Sequence, residues 1–143
     1  MECEFPTVNS NKEEMREIFN MVKTIAVLGL SPDESKASNR VARYLQSVGY
    51  KIVPVYPKGE TILGEKVYRS LAEIPFEIDM VDIFRKPAAF DAIADACIAR
   101  GDVKVFWGQV GLVNNDAAQK AKDAGMKVVQ NFCSMVEHRK LMS

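Results

Sequence analysis

Five short apolar runs of β character, spaced by turns and helical stripes, constrain this chain more than any other feature. They fall at residues 24–28, 51–55, 80–84, 103–107 and 127–130. Between them apolar residues recur at helical spacing. Val41, Tyr44, Leu45 and Val48 precede a stop at Gly49, and Phe90, Ile93, Ala94, Cys97 and Ile98 follow Pro87. Ala117, Ala118, Ala121 and Ala124 form a small-residue face behind an Asn114 cap. Ahead of the first run, Ser10-Asn11-Lys12-Glu13 reads as a capping box, and Met15, Ile18, Phe19 and Val22 mark a further helix. Strands alternating with helices of this length predict an α/β fold. It is a Rossmann-like, doubly wound, five-stranded parallel sheet with an extra N-terminal helix. Residues 60–76, punctuated by Gly64 and Pro75, read as an irregular crossover with one helical turn near Ser70 to Glu73, and the residues after 133 read as a tail.

A length of 143 residues predicts one domain over 1–143, with the N-terminal helix at about 10–23 and the core at about 24–133. Hydrophobic residues make up 48%, and 19 basic side chains balance 19 acidic ones, so neither a nucleic acid nor a membrane surface is an expected partner. Any charge that binds a ligand must be local. The acidic start, Met1 to Pro6, lacks the layout of a signal peptide, and no run approaches the ~18 apolar residues of a membrane span, so the cytoplasm is expected. Cys3, Cys97 and Cys133 are too scattered for a disulfide framework or a zinc site. The single histidine, His138, excludes a histidine-rich metal site and reads as a surface or packing residue.

In a parallel sheet the turns after the strands gather at one edge, where ligands of such folds bind. After the first run, Gly29-Leu30-Ser31 lets the backbone turn, and Ser31 and the loop amides can donate to phosphate oxygens. The loop lacks the G-x-G-x-x-G dinucleotide pattern. After the second run stands Tyr56-Pro57-Lys58, where an NAD-binding domain would place an acid. A cation there favours a phosphate on the ribose, as in coenzyme A or NADP, although a solvated loop lysine is the simpler reading. After the third run, Phe84-Arg85-Lys86 opens a helix with two cations, an arrangement that fits an anion between them. Ser38 and Arg40 can serve the same anion, or Ser38 can act only as an N-cap. Gly108-Gln109-Val110-Gly111 and Asn131-Phe132-Cys133 complete the edge, with Gln109 expected to share a cleft with Arg85. Asp82, inside an apolar run, needs a partner or a crevice, and Cys133 reads either as a small buried hydrophobe or as a thiol on the ligand edge. No base, nucleophile and orienting partner assemble into a catalytic group.

Five ordered motifs carry a resemblance. They are Ile25-Ala26-Val27-Leu28-Gly29-Leu30-Ser31, Arg40-Val41-Ala42-Arg43-Tyr44-Leu45, Ile62-Leu63-Gly64-Glu65-Lys66-Val67-Tyr68, Val81-Asp82-Ile83-Phe84-Arg85 and Val105-Phe106-Trp107-Gly108-Gln109-Val110-Gly111. Together they resemble the stand-alone CoA-binding protein family, related to the N-terminal domain of the succinyl-CoA synthetase α subunit, over roughly residues 20–140. The resemblance implies that CoA or an acyl-CoA is the ligand. It also implies that the loop from Gly29 to Ser31 and Lys58 meet the phosphates, and that Gly108 and Gln109 meet another part of the ligand. Pro32 stands where the synthetase loop has a second glycine, a departure at the phosphate contacts. The synthetase reaction uses a phosphorylated histidine in a further domain, so a binding module without ligase activity of its own is expected. The competing readings are an NADP-dependent reductase and an interaction subunit with a vestigial nucleotide pocket. If the adenine end binds near the first two turns, the pantetheine arm runs toward Cys133, and a mixed disulfide there becomes possible under oxidation.

Overall fold

Successive strand residues point to opposite faces, so an apolar run buried on both sides asks for helices above and below it. The computed structural model, which describes residues 5–142, has that arrangement; Cys3 lies outside the described residues. In chain order the elements are α1 (Lys12–Met21), β1 (Thr24–Leu28), α2 (Ala37–Ser47), β2 (Lys51–Val55), β3 (Thr61–Ile62), β4 (Glu65–Lys66), β5 (Met80–Ile83), α3 (Phe90–Arg100), β6 (Val105–Gly108), α4 (Asn115–Asp123), β7 (Lys127–Val129) and α5 (Ser134–Leu141). Five strands form one parallel sheet in the order β2-β1-β5-β6-β7. Register sets Leu28 beside Val55 on one side and beside Ile83 on the other. Ala26, Leu28, Val81, Ile83, Phe106 and Val128 face a core with Phe90, Ala94, Cys97, Ala117 and Ala121 of α3 and α4. Ile25, Val27, Met80, Val105, Trp107 and Val129 face the other core, with Met15, Ile18 and Phe19 of α1 and Val41 and Leu45 of α2.

Several boundaries differ from the sequence expectation for identifiable reasons. Asn11, not Ser10, caps α1: its side chain accepts the Glu14 amide at 2.8 Å, and Glu14 accepts the Asn11 amide at 2.9 Å. The Ser10 hydroxyl is drawn instead to the Val128 carbonyl at 2.7 Å. Val48 and Ala124 are exposed because each stands at a C-cap, past the last helical residue. Ile98 is also exposed, since it lies about 80° around α3 from Phe90, at the rim of the covered arc. The crossover contains the β3–β4 hairpin before its single 3-10 turn at Leu71–Glu73. The expected tail is a helix, α5, whose buried residues Ser134 and Glu137 are polar, so no apolar stripe announces it.

Neither edge of the sheet is bare. Along β7 the side chain of Asn9 donates to the Gln130 carbonyl and accepts the Gln130 amide, both at 2.9 Å, standing in for a strand's peptide group. Along β2, the Tyr68 amide donates to the Pro54 carbonyl and the Tyr56 amide to the Tyr68 carbonyl, both at 3.0 Å.

Candidate ligand site at the carboxyl edge

The chain runs outward from β1 to β2 and then returns to β5 on the far side of β1. A crevice therefore opens between the carboxyl ends of β1 and β5, the topological switch point where open α/β sheets bind ligands. Gly29 turns the chain there with φ +87°, and its amide donates to the Val55 carbonyl at 2.9 Å. A Cβ on Gly29 would sit 2.8 Å from the Phe84 carbonyl oxygen and 3.3 Å from Arg85 Nε. The first and third turns thus meet with no room for a side chain between them.

Arg85 stands between two cavities. One, of about 270 Å³, is lined by Leu28, Val55, Ser70, Leu71, Arg85 and Ile93. The other, of about 430 Å³, is lined by Val41, Phe84, Arg85, Lys86, Gln109 and Cys133 together with Val110 and Leu112. Arg85 and Gln109 share a cleft, as their neighbouring strands suggest. Among the described residues, the side chains of Lys58, Arg85 and Lys86 make no hydrogen bond or ion pair. Uncompensated cations at the open end of the sheet fit an anionic ligand.

The remaining candidates divide by what holds them. The Ser31 amide donates to Ser38 Oγ at 3.0 Å, Asn39 donates to the Ser31 carbonyl at 2.9 Å, and the Ser31 hydroxyl accepts the Asp33 amide at 3.1 Å. Arg40 donates to the Ser35 carbonyl at 2.7 Å. These residues shape the first loop from within, and Ser38 buttresses it instead of capping α2, whose N-cap is Lys36. Leu30 is fully buried, so its backbone is the part of it near the edge. Tyr56 is tied through its backbone, while Pro57 and Lys58 are exposed. At Gly108 a Cβ would press to 2.9 Å from the Phe90 ring, so packing accounts for that glycine. Asn131, with φ +63°, accepts the Gly111 amide at 2.6 Å and pins the turn after β6 to the turn after β7.

Beneath the larger cavity lies a polar network that links three elements. Gln109 donates to Asp82 and, at 2.9 Å, to the Ser134 hydroxyl, which donates to the other Asp82 oxygen at 2.8 Å. All three residues are buried. Burial pushes the Asp82 carboxyl up from 3.8 to about 6, with the Gln109 and Ser134 hydrogen bonds opposing. Between about pH 4 and pH 6 the folded state keeps a proton that the unfolded chain has lost, so this group's contribution to stability falls as pH rises through that window. Asp82→Asn keeps an acceptor for Gln109 and removes the titration. Relative to the parent it should gain on the order of 2–3 kcal/mol between about pH 4 and pH 7, read by urea unfolding at both ends. Parallel pH profiles for the two proteins would reject this account.

Cys97 and His138 are packing residues. Burial pushes the Cys97 thiol up to about 12 despite the neighbouring Arg100. The His138 ring lies edge-on to Phe19, Tyr44 and Tyr50 at 5.2–5.6 Å, its Nδ1 is 2.7 Å from the Tyr44 hydroxyl, and burial lowers its pKa. Among the described residues no cluster of His, Cys, Asp or Glu is arranged to hold a metal, and no helix is long and apolar enough to cross a membrane. Sequence reasoning missed the walls of the smaller cavity, Ser70, Leu71 and Ile93. They lie in the irregular crossover and on α3, and only folding brings them beside Leu28 and Val55.

A five-stranded parallel sheet with helices packed on both faces places the chain in the Rossmann-like class of α/β folds. The family model described as the CoA binding domain matches residues 23–139, and the chain belongs to that family. It is 39% identical over 130 residues to uncharacterized protein YneT of Bacillus subtilis, covering 91% of this chain and 96% of that one. A hypothetical protein from Pyrococcus horikoshii superposes with a TM-score of 0.90 at 39% identity, covering 100% of both chains. The α subunit of ADP-forming acetate–CoA ligase I of Pyrococcus furiosus is 31% identical over 123 residues, which cover 75% of this chain and 26% of the subunit. The chain therefore spans about a quarter of that subunit's length.

Proposed function

We propose that this protein binds CoA or an acyl-CoA across the carboxyl edge of its sheet, as a binding module without a catalytic group of its own. The observation that carries the reading is Arg85, unpaired, at the switch point between two cavities on either side of the Gly29 turn. CoA is an elongated ligand with an apolar base at one end, phosphates in the middle and a thin pantetheine arm at the other. In this reading the smaller cavity takes the adenine and Lys58 meets the ribose phosphate. The loop from Gly29 to Ser31, with Arg85 and Lys86, faces the pyrophosphate, and the larger cavity takes pantetheine. Membership of the CoA-binding family supports the ligand class. The acetate–CoA ligases that share this region carry CoA in their names.

Thermal melts with CoA, acetyl-CoA, NADP and NAD test the reading. CoA at about a hundred times its Kd should stabilise the fold by about 2.7 kcal/mol, a shift of several degrees. Stabilisation by NADP without CoA would return the reductase reading, and no response to any of the four would favour a vestigial pocket.

The larger cavity also sets a chemical expectation at Cys133, which lines it beside Arg85 and Lys86. With CoA disulfide, the Cys133 thiolate attacks one sulfur, a protein–S–S–CoA bond forms, and one CoA thiolate leaves. Intact-mass spectrometry should show one added CoA, absent in Cys133→Ser. Modification of the parent only at Cys3 or Cys97, or none under conditions where CoA itself binds, would reject the placement of the pantetheine thiol.

A further inference from the structure

A further cation, absent from the sequence reading, shapes the loop that bears Lys58. The guanidinium of Arg69 donates to the Tyr56 carbonyl at 3.2 Å and to the Gly59 carbonyl at 2.8 Å. It therefore spans the two ends of the tetrapeptide that contains Pro57 and Lys58, and Gly59 leaves that tetrapeptide in the left-handed region, φ +87°. Arg69 is itself held in place. The preceding residue, Tyr68, is laddered to Pro54 and Tyr56 along the edge of β2, and the Arg69 amide donates to Glu73 at 2.9 Å. The next residues, Ser70 and Leu71, line the smaller cavity. Arg69 makes no ion pair among the described residues, so its charge is directed at two carbonyls of one exposed loop. A planar fork that bridges two acceptors suits an arginine, because a lysine places a single point of donation.

We infer that Arg69 is the positioning residue that fixes the Lys58 loop for a phosphate on the ligand's ribose, and so sets discrimination between CoA and its 3′-dephospho form. The inference rests on the CoA reading above. A free loop would leave Lys58 able to reach a phosphate only after ordering its own backbone, and the two Arg69 hydrogen bonds remove that cost in advance. The effect is therefore confined to ligands that carry the extra phosphate. A residue that merely stabilised the fold would weaken both ligands alike.

Calorimetric titration with CoA and with 3′-dephospho-CoA separates these cases. The parent protein should prefer CoA by on the order of tenfold or more, the strength of one charge-assisted contact. Arg69→Ala should bring that ratio close to one while affinity for dephospho-CoA changes by less than about twofold. Arg69→Lys, which keeps the charge without the fork, should also lose most of the preference. Adding Arg69→Ala to Lys58→Ala should cost nothing further in the ratio, because the two act as one unit. An unchanged ratio in Arg69→Ala, a full ratio in Arg69→Lys or additive losses in the double variant would each overturn the inference. A parent ratio near one would instead retire the placement of the ribose phosphate at Lys58, and this inference with it.

Discussion

Gly29→Ala is expected to destabilise the protein by about 2–4 kcal/mol and to abolish measurable CoA binding at the same time. Two costs combine. A side chain at φ +87° is strained in the left-handed region, and its Cβ would lie 2.8 Å from the carbonyl oxygen of Phe84, a residue tied to β1 by its amide donating to the Leu28 carbonyl at 2.9 Å. Relief requires β1 and β5 to part at their carboxyl ends, where the crevice sits. Urea unfolding reads the first effect and titration with CoA the second. A variant with parental stability would mean that the turn relaxes without moving β5, and one that bound CoA normally would remove the Gly29 loop from the site.

Arg85→Ala is expected to leave stability within about 0.5 kcal/mol and to weaken CoA by on the order of 10- to 100-fold. The separation of the two effects follows from the side chain's surroundings. It makes no hydrogen bond or ion pair among the described residues, so folding loses little with it. A pyrophosphate at the switch point would lose a charge-assisted donor that borders both cavities. Calorimetry on the variant, with its urea midpoint as control, checks both halves. Parental affinity would exclude Arg85 from the anion site, and a large drop in stability would show that its contacts with the Gly29 turn are structural.

The parts of the fold that local pattern encodes were legible. The five runs, the helices α1 to α4 and the parallel sheet follow from residues close together in the chain. Gly29 was legible for the same reason, since a glycine at the end of an apolar run signals a turn. What escaped was set by partners far along the chain. Ser10 lost the cap to Asn11 because Val128, more than a hundred residues away, claims its hydroxyl. α5 is seated by Glu137 pairing with Lys12 and by Ser134 bonding Asp82, polar contacts that no hydrophobic stripe encodes. Gln109 was expected on the edge and is there, yet its amide is committed inward to Asp82 and Ser134. Arg69 escaped because its function depends on two backbone carbonyls, and carbonyls carry no sequence signal.

The covering of both outer strands has a consequence for how copies of this molecule can meet. At β7 the Asn9 amide group occupies the donor and acceptor of Gln130, and at β2 the Tyr68 backbone occupies the Pro54 carbonyl and the Tyr56 amide. An incoming strand would find no vacant row of peptide groups and would first have to displace one of these segments. Growth of the sheet from one molecule into the next is therefore opposed at both edges. Contact between copies is left to helix surfaces and loops, where side chains can be made to fit or to repel.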